Sequence, residues 1–269
     1  MVTSKGGRPN IDRLKRKRLV GGLVDALRHD DVVVQLEAAR ALAELAQAGH
    51  IKWEPRDAHE HALMVLSAPG TFEARKDNLA ALDEAAVPTL VACLEGLSAR
   101  SGVSVAPWMS HNLTEVIRDA LGAIGGDEGV DRLVAMVVSD KARVADDWGT
   151  PYILAGYAAK ALGMIGDPRA VEPLLGLAHD SRHAVTCVQA LVNIVRRSAP
   201  QMSTETLRSL AAMDRIRGPF DEAVDMLRSS EWPESREEFQ AEVGFVHGTR
   251  KTFDETKELA EKELASRES

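Results

Sequence analysis

Cysteine and aromatic rings are what this chain has least of. Its two cysteines, Cys93 and Cys187, are too few for a disulfide framework, which points to a reducing, cytoplasmic setting. Both lie in apolar helical context and read as small core residues. Aromatics are 4% of the 269 residues, so the core must be built from alanine, leucine and valine. No apolar run approaches the roughly 20 residues of a membrane span. No apolar stretch follows the charged N-terminus, so no secretory signal is expected. Runs of β-branched residues are short, as an all-α chain requires. Phosphate-binding glycine loops, nucleophile elbows and Cys-x-x-Cys pairs are missing. No catalytic residue, metal ligand or cofactor is therefore assigned.

What the chain does have is one phrase said four times. Val20-Gly21-Gly22-Leu23-Val24, Val87-Pro88-Thr89-Leu90-Val91, Val130-Asp131-Arg132-Leu133-Val134 and Val171-Glu172-Pro173-Leu174-Leu175 share one pattern. Each precedes a second helical phrase, at Ala41-Leu42, Ala120-Leu121, Ala161-Leu162 or Ala190-Leu191. Repeated paired helices predict an all-α fold, an α-solenoid of stacked helix pairs. One such pair cannot bury its apolar face alone and must stack on its neighbours.

Punctuation supports the same reading. Asn10 can cap a helix that runs through Leu14 and on to Leu27. Val34, Ala38, Ala41, Leu42 and Leu45 form the apolar stripe of the next helix, which Gly49 closes. Thr150-Pro151 and Asp167-Pro168 pair a capping side chain with a proline at a helix start. Pro88 and Pro173, near the start of a first helix, are expected to bend it. Ser203-Thr204-Glu205 can open a helix reaching Met213. Three parts follow: a flexible basic arm at 1–9, a repeat array at 10–199 with an irregular segment at 50–83, and a C-terminal helical cap at 200–269. The irregular segment should hold short helices near Asp57–Leu66 and Phe72–Leu82.

Tyr157-Ala158-Ala159-Lys160-Ala161-Leu162-Gly163-Met164-Ile165-Gly166-Asp167-Pro168-Arg169-Ala170-Val171-Glu172-Pro173-Leu174 resembles the HEAT repeat, in the short form also found in phycobilisome lyases. Asp119-Ala120-Leu121-Gly122-Ala123-Ile124-Gly125-Gly126-Asp127 is similar to it, and Glu37-Ala38-Ala39-Arg40-Ala41-Leu42-Ala43-Glu44-Leu45 is a third copy without the terminal glycine and aspartate. The resemblance covers roughly residues 10–197 and implies a HEAT-like superhelix. HEAT arrays mostly serve as binding scaffolds. Some relatives of this form are bilin lyases, some are di-iron hydroxylases that carry several His-Glu pairs, and some are DNA glycosylases. His59-Glu60-His61 holds the single His-Glu dipeptide here. His179, Asp180 and His183 read as surface residues at a helix junction.

Two features mark candidate binding surfaces. From first-helix to second-helix leucine the spacing is 19 residues for Leu23–Leu42 and 17 for Leu174–Leu191, but 31 for Leu90–Leu121 and 29 for Leu133–Leu162. The two middle pairs therefore carry long connections on one edge, where solenoids often bind. These hold Trp108, Met109 and His111, and Trp148 and Tyr152; tryptophan favours interface anchors. With Arg118 and Lys160 on the second helices they form the candidate partner-binding set. The other feature is charge. Residues 1–18 carry seven cations against Asp12, a balance of +6, so the remainder carries −14 of a net −8. Arg13, Lys15, Arg16, Lys17 and Arg18 are the candidate nucleic-acid contacts, through salt-dependent attraction to phosphates. The function expected first is a non-enzymatic scaffold or adaptor that binds another protein. A lyase-type maturation factor comes second and a nucleic-acid-associated protein third. No membrane contact is expected.

Overall fold

The computed structural model describes residues 8–68, 72–98, 111–139, 150–178, 183–212, 252 and 254–268. Among these residues every regular element is helical, as the absence of strand-forming runs requires. The helices are α1 (Ile11–Arg16), α2 (Val20–Ala26), α3 (Val32–Gln47), α4 (Ala58–Ser67), α5 (Phe72–Ala80), α6 (Val87–Ser98), α7 (His111–Ile124), α8 (Asp127–Val138), α9 (Thr150–Ile165), α10 (Val171–Ala178), α11 (Ala184–Ser198), α12 (Thr204–Ala211) and α13 at 254–268. No helix among the described residues is long and apolar enough to cross a membrane.

The helix starts follow from short polar side chains that satisfy the first free backbone N–H groups. Asn10 Oδ1 accepts from the Arg13 N–H at 2.8 Å and Asp57 from Glu60 at 2.9 Å. Asp167 accepts from Arg169 at 2.8 Å, and Ser203 Oγ from Thr206 at 3.0 Å. Pro88 and Pro173 fall in the first turns of α6 and α10, each just after a short 3₁₀ turn at Glu84–Ala86 or Pro168–Ala170. A missing N–H is tolerated there, so the expected bend has no hydrogen bond to break.

The chain divides into two compact units, Met1–Gly129 and Val130–Ser269. In the first unit, α2 packs on α3, α3 on α4 and α6, α6 on α7, and α5 on α7. Residues 50–83 thus supply α4 and α5, which pack within the helix stack. Leu23, Leu36, Leu42, Leu63, Leu90, Leu94 and Ile117 are fully buried between them. In the second unit, α9 packs along α11, α10 on α11, and α12 on α10. Leu162, Leu174, Leu191 and Ile194 fill that core with no exposure. Small residues set the spacing. Ala158 and Ala159 are fully buried, and a Cβ placed on Gly163 would lie 2.7 Å from Ala190 Cα. The backbones of α9 and α11 therefore approach as closely as a glycine permits.

One expected helix is two. α1 and α2 are separated at Lys17–Leu19, where Arg18 takes φ of 51°. The chain doubles back so that Ile11 is buried and the Leu14 side chain lies over Gly22, 3.0 Å from where a Cβ would stand. Packing α1 on α2 and α3 buries apolar groups that a single straight helix would leave in water.

Candidate functional site

The long connections fall where the leucine spacing puts them. One joins the end of α6 at Ser98 to His111, and the other joins the end of α8 at Val138 to Thr150. His111 opens α7 and Tyr152 lies in the first turn of α9. Trp108, Met109 and Trp148 lie outside the described residues. Lys160 is exposed on α9. Arg118 is different: its guanidinium lies 2.6 Å from Asp119 and 3.7 Å from Glu115, with 14% of the side chain exposed. Lys76 of α5 reaches Asp119 at 3.6 Å, so this cation belongs to a cluster that ties α5 to α7. A charge held this way has already given much of its hydration to a local partner.

The basic N-terminal residues are sorted by the same rule. Lys15 is bound by Glu44 of α3, which also takes Arg40 at 2.9 Å, and Arg8 meets Glu37 at 3.2 Å. Hydrogen bonds from Lys15 and Arg40 hold the Glu44 carboxyl below its ordinary range. Arg13, Arg16, Lys17 and Arg18 are exposed, and Arg16 Nε donates to the Asp12 carbonyl at 3.4 Å. One face of this segment is thus spent on α3, and the other faces solvent.

The His-Glu dipeptide has a structural occupation. His59 Nε2–H donates to the Leu27 carbonyl at 2.9 Å, which leaves Nδ1 to accept from the Thr89 hydroxyl at 2.9 Å. That ring pins α4 to the end of α2 and to α6. Glu60 is fully buried and takes Arg56 N–H at 3.1 Å and Arg56 Nε at 3.0 Å, with Arg28 at 3.6 Å. Arg56 holds the Glu60 carboxyl below its ordinary range, and burial pulls the other way. Asp57 is lowered too, first by the Glu60 backbone N–H and then by Arg28. These are fastenings between helices, and periodicity gave no sign of them.

Two further groups are accounted for. Burial pushes the Cys93 thiol up to about 12, so it is a neutral core side chain. His183, expected at the surface, is only 3% exposed, because it stands at the N-terminus of α11 against the core of its unit. Among the described residues no three His, Cys, Asp or Glu side chains converge as a metal site would require.

Stacked helix pairs, a close α9–α11 seam and capped helix starts define an α-helical repeat protein. Residues 154–180 match the family model described as PBS lyase HEAT-like repeat, so the chain carries a HEAT-like repeat over the second helix of one pair and the first of the next. No curated protein matches the chain significantly.

Proposed function

We propose that this chain is a HEAT-type scaffold that binds another protein through second-helix faces and through Trp108 and Trp148 of its two long connections. The observation that carries this reading is the α9–α11 seam. These are second helices of successive pairs, held at glycine–alanine distance, and their outward residues Lys160, Gln189 and Asn193 are exposed, while Arg196 is paired with Glu255 at 2.5 Å. A closely packed ridge with a polar outer face is a preorganised surface, which lowers the ordering cost of binding. Charged groups that are engaged, such as Glu60 with Arg28 and Asp119 with Lys76, link one element of the stack to another. The lyase-type alternative draws on the description of the matched repeat.

The test is one double variant, Trp108→Ala with Trp148→Ala, compared with the native chain by affinity capture from the source cell, mass spectrometry and a thermal melt. Anchoring tryptophans predict that a dominant protein partner loses at least about 2 kcal/mol of affinity while the melting temperature moves little. If instead the variant is several kcal/mol less stable and binds normally when kept cold, the tryptophans are local covers and the connections are not the site. A co-purified chromophore would favour the lyase-type reading.

A further inference from the structure

A second surface, sharing no residue with the long connections, lies at the corner between α1 and α2. Helix α1 ends in a six-residue capping motif. The Arg18 N–H donates to the Lys15 carbonyl at 3.0 Å, and the Leu19 N–H to the Leu14 carbonyl at 3.0 Å. This closure requires a left-handed residue at its pivot, for which glycine is the usual choice. The chain follows that rule elsewhere: Gly49, Gly125, Gly126 and Gly166 have φ between 66° and 83° at the ends of α3, α7 and α9. Arg18, at φ 51°, is the one non-glycine residue with positive φ among those described. A side chain with a Cβ pays for that conformation; the turn packs α1 on α2 and α3, but glycine would serve it better and the exposed Arg18 side chain adds no packing, which points to use elsewhere.

The surroundings are cationic and partly apolar. Arg13, Arg16, Lys17 and Arg18 are all exposed on this corner, and Arg13, Lys17 and Arg18 make no ion pair among the described residues. The helix dipole explains cations within the last turn of α1. It does not explain Arg18, which stands beyond the helix end. Beside it Leu19 is 48% exposed, one of two large apolar side chains so exposed among the described residues. Asp12 is the acidic residue on α1, and the acids of the facing helix, Glu37 and Glu44, are already taken by Arg8 and Lys15. Cations and leucine together match an acidic segment that also carries an apolar side chain. A phosphate backbone would use the cations and leave Leu19 in water. The net −14 of the remaining chain also opposes a long polyanion more than a short peptide.

We propose that Arg13, Arg16, Lys17, Arg18 and Leu19 form a docking site for an acidic peptide segment of a partner protein, with its carboxylates on the cations and an apolar side chain on Leu19. The probe is a labelled peptide built from glutamate and leucine, titrated with the full chain by fluorescence anisotropy at low and physiological salt. Binding should weaken with salt, and Arg18→Gly should weaken it about two- to fivefold, as loss of one exposed ion pair does. The same change relieves the left-handed strain, so the melting temperature should hold or rise by about 2–4 °C. Leu19→Ser should weaken the glutamate–leucine peptide and leave a glutamate-only peptide unchanged. The proposal is overturned if the peptide does not bind, if Arg18→Gly binds it as well as the native chain, or if Arg18→Gly melts lower. It is also overturned if a labelled DNA duplex binds more tightly than the peptide, since the corner would then be a phosphate surface.

Discussion

Two glycines in one helix should respond to the same substitution with opposite signs. Gly156 and Gly163 both lie in α9, two turns apart. A Cβ on Gly156 meets nothing within 4 Å, whereas one on Gly163 meets Ala190 Cα at 2.7 Å and Ala190 Cβ at 2.9 Å. Alanine favours a helix interior over glycine by about 0.5–1 kcal/mol, so Gly156→Ala should stabilise by that amount. At Gly163 the neighbour is backbone and cannot swing aside. Carbon atoms in ordinary contact stand about 3.5–4.0 Å apart, so α9 and α11 must part by about 1 Å. A gap of that size forfeits a quarter to a half of each dispersion contact it opens, along a seam that includes Ala159, Leu162 and Leu191. Overpacking of this kind costs about 1–3 kcal/mol, and with the seam loss added and the helix gain of about 1 kcal/mol subtracted, the net is a loss of about 2 kcal/mol. The assay is urea denaturation followed by helical circular dichroism, with a thermal melt as a second reading. At about 2–4 °C per kcal/mol, Gly163→Ala should melt about 4–8 °C lower than the native chain. If both alanine variants are stabilised alike, the close seam does not exist and the spacing argument fails.

The remaining predictions concern the core and the buried carboxylate. Leu162, fully buried in the second unit, should cost about 2–5 kcal/mol when truncated to alanine, and a loss within about 0.5 kcal/mol would move it to the surface. Glu60→Ala should destabilise the chain at neutral pH, because it removes the buried acceptor of the Arg56 backbone N–H and the partner of the largely exposed Arg56 guanidinium. The pH dependence has a definite sign: the folded Glu60 carboxyl is lowered from its ordinary 4.5, so its contribution is present above that value and is lost as pH falls through the folded one. Denaturant titrations from neutral pH to below 4 should therefore bring native and Glu60→Ala chains together, and a gap that widens in acid would contradict the assignment.

The helices were legible because their causes are local. Asn10, Asp57, Asp167 and Ser203 announce starts by chemistry that acts within three residues. Stripes such as Val34, Ala38, Leu42 and Leu45 announce a buried face by spacing alone, and each is buried. The break at Arg18 was not legible, since arginine is a good helix former and nothing in composition marks a left-handed pivot. Pairing between helices was legible only as repetition. The sequence contains Gly163 and Ala190, but that they face each other depends on how α9 stacks on α11.

Charges were the hardest to place, and the reason is the same. Arg118 reads as a solvated cation on a second-helix face. Its exposure is settled by Asp119 beside it and by what α5 places opposite, namely Lys76. Glu60 reads as half of a dipeptide with histidine, yet its fate is set by Arg56 four residues earlier and by Arg28 from the turn after α2. In a stack of repeats every helix is flanked by others, so a charged side chain is exposed only where its neighbours leave a gap. That condition is a property of pairs of helices. It makes the partner surface of such a protein depend on which cations and carboxylates have already found each other within the stack, and the corner of α1 and α2 stands out because its cations have not.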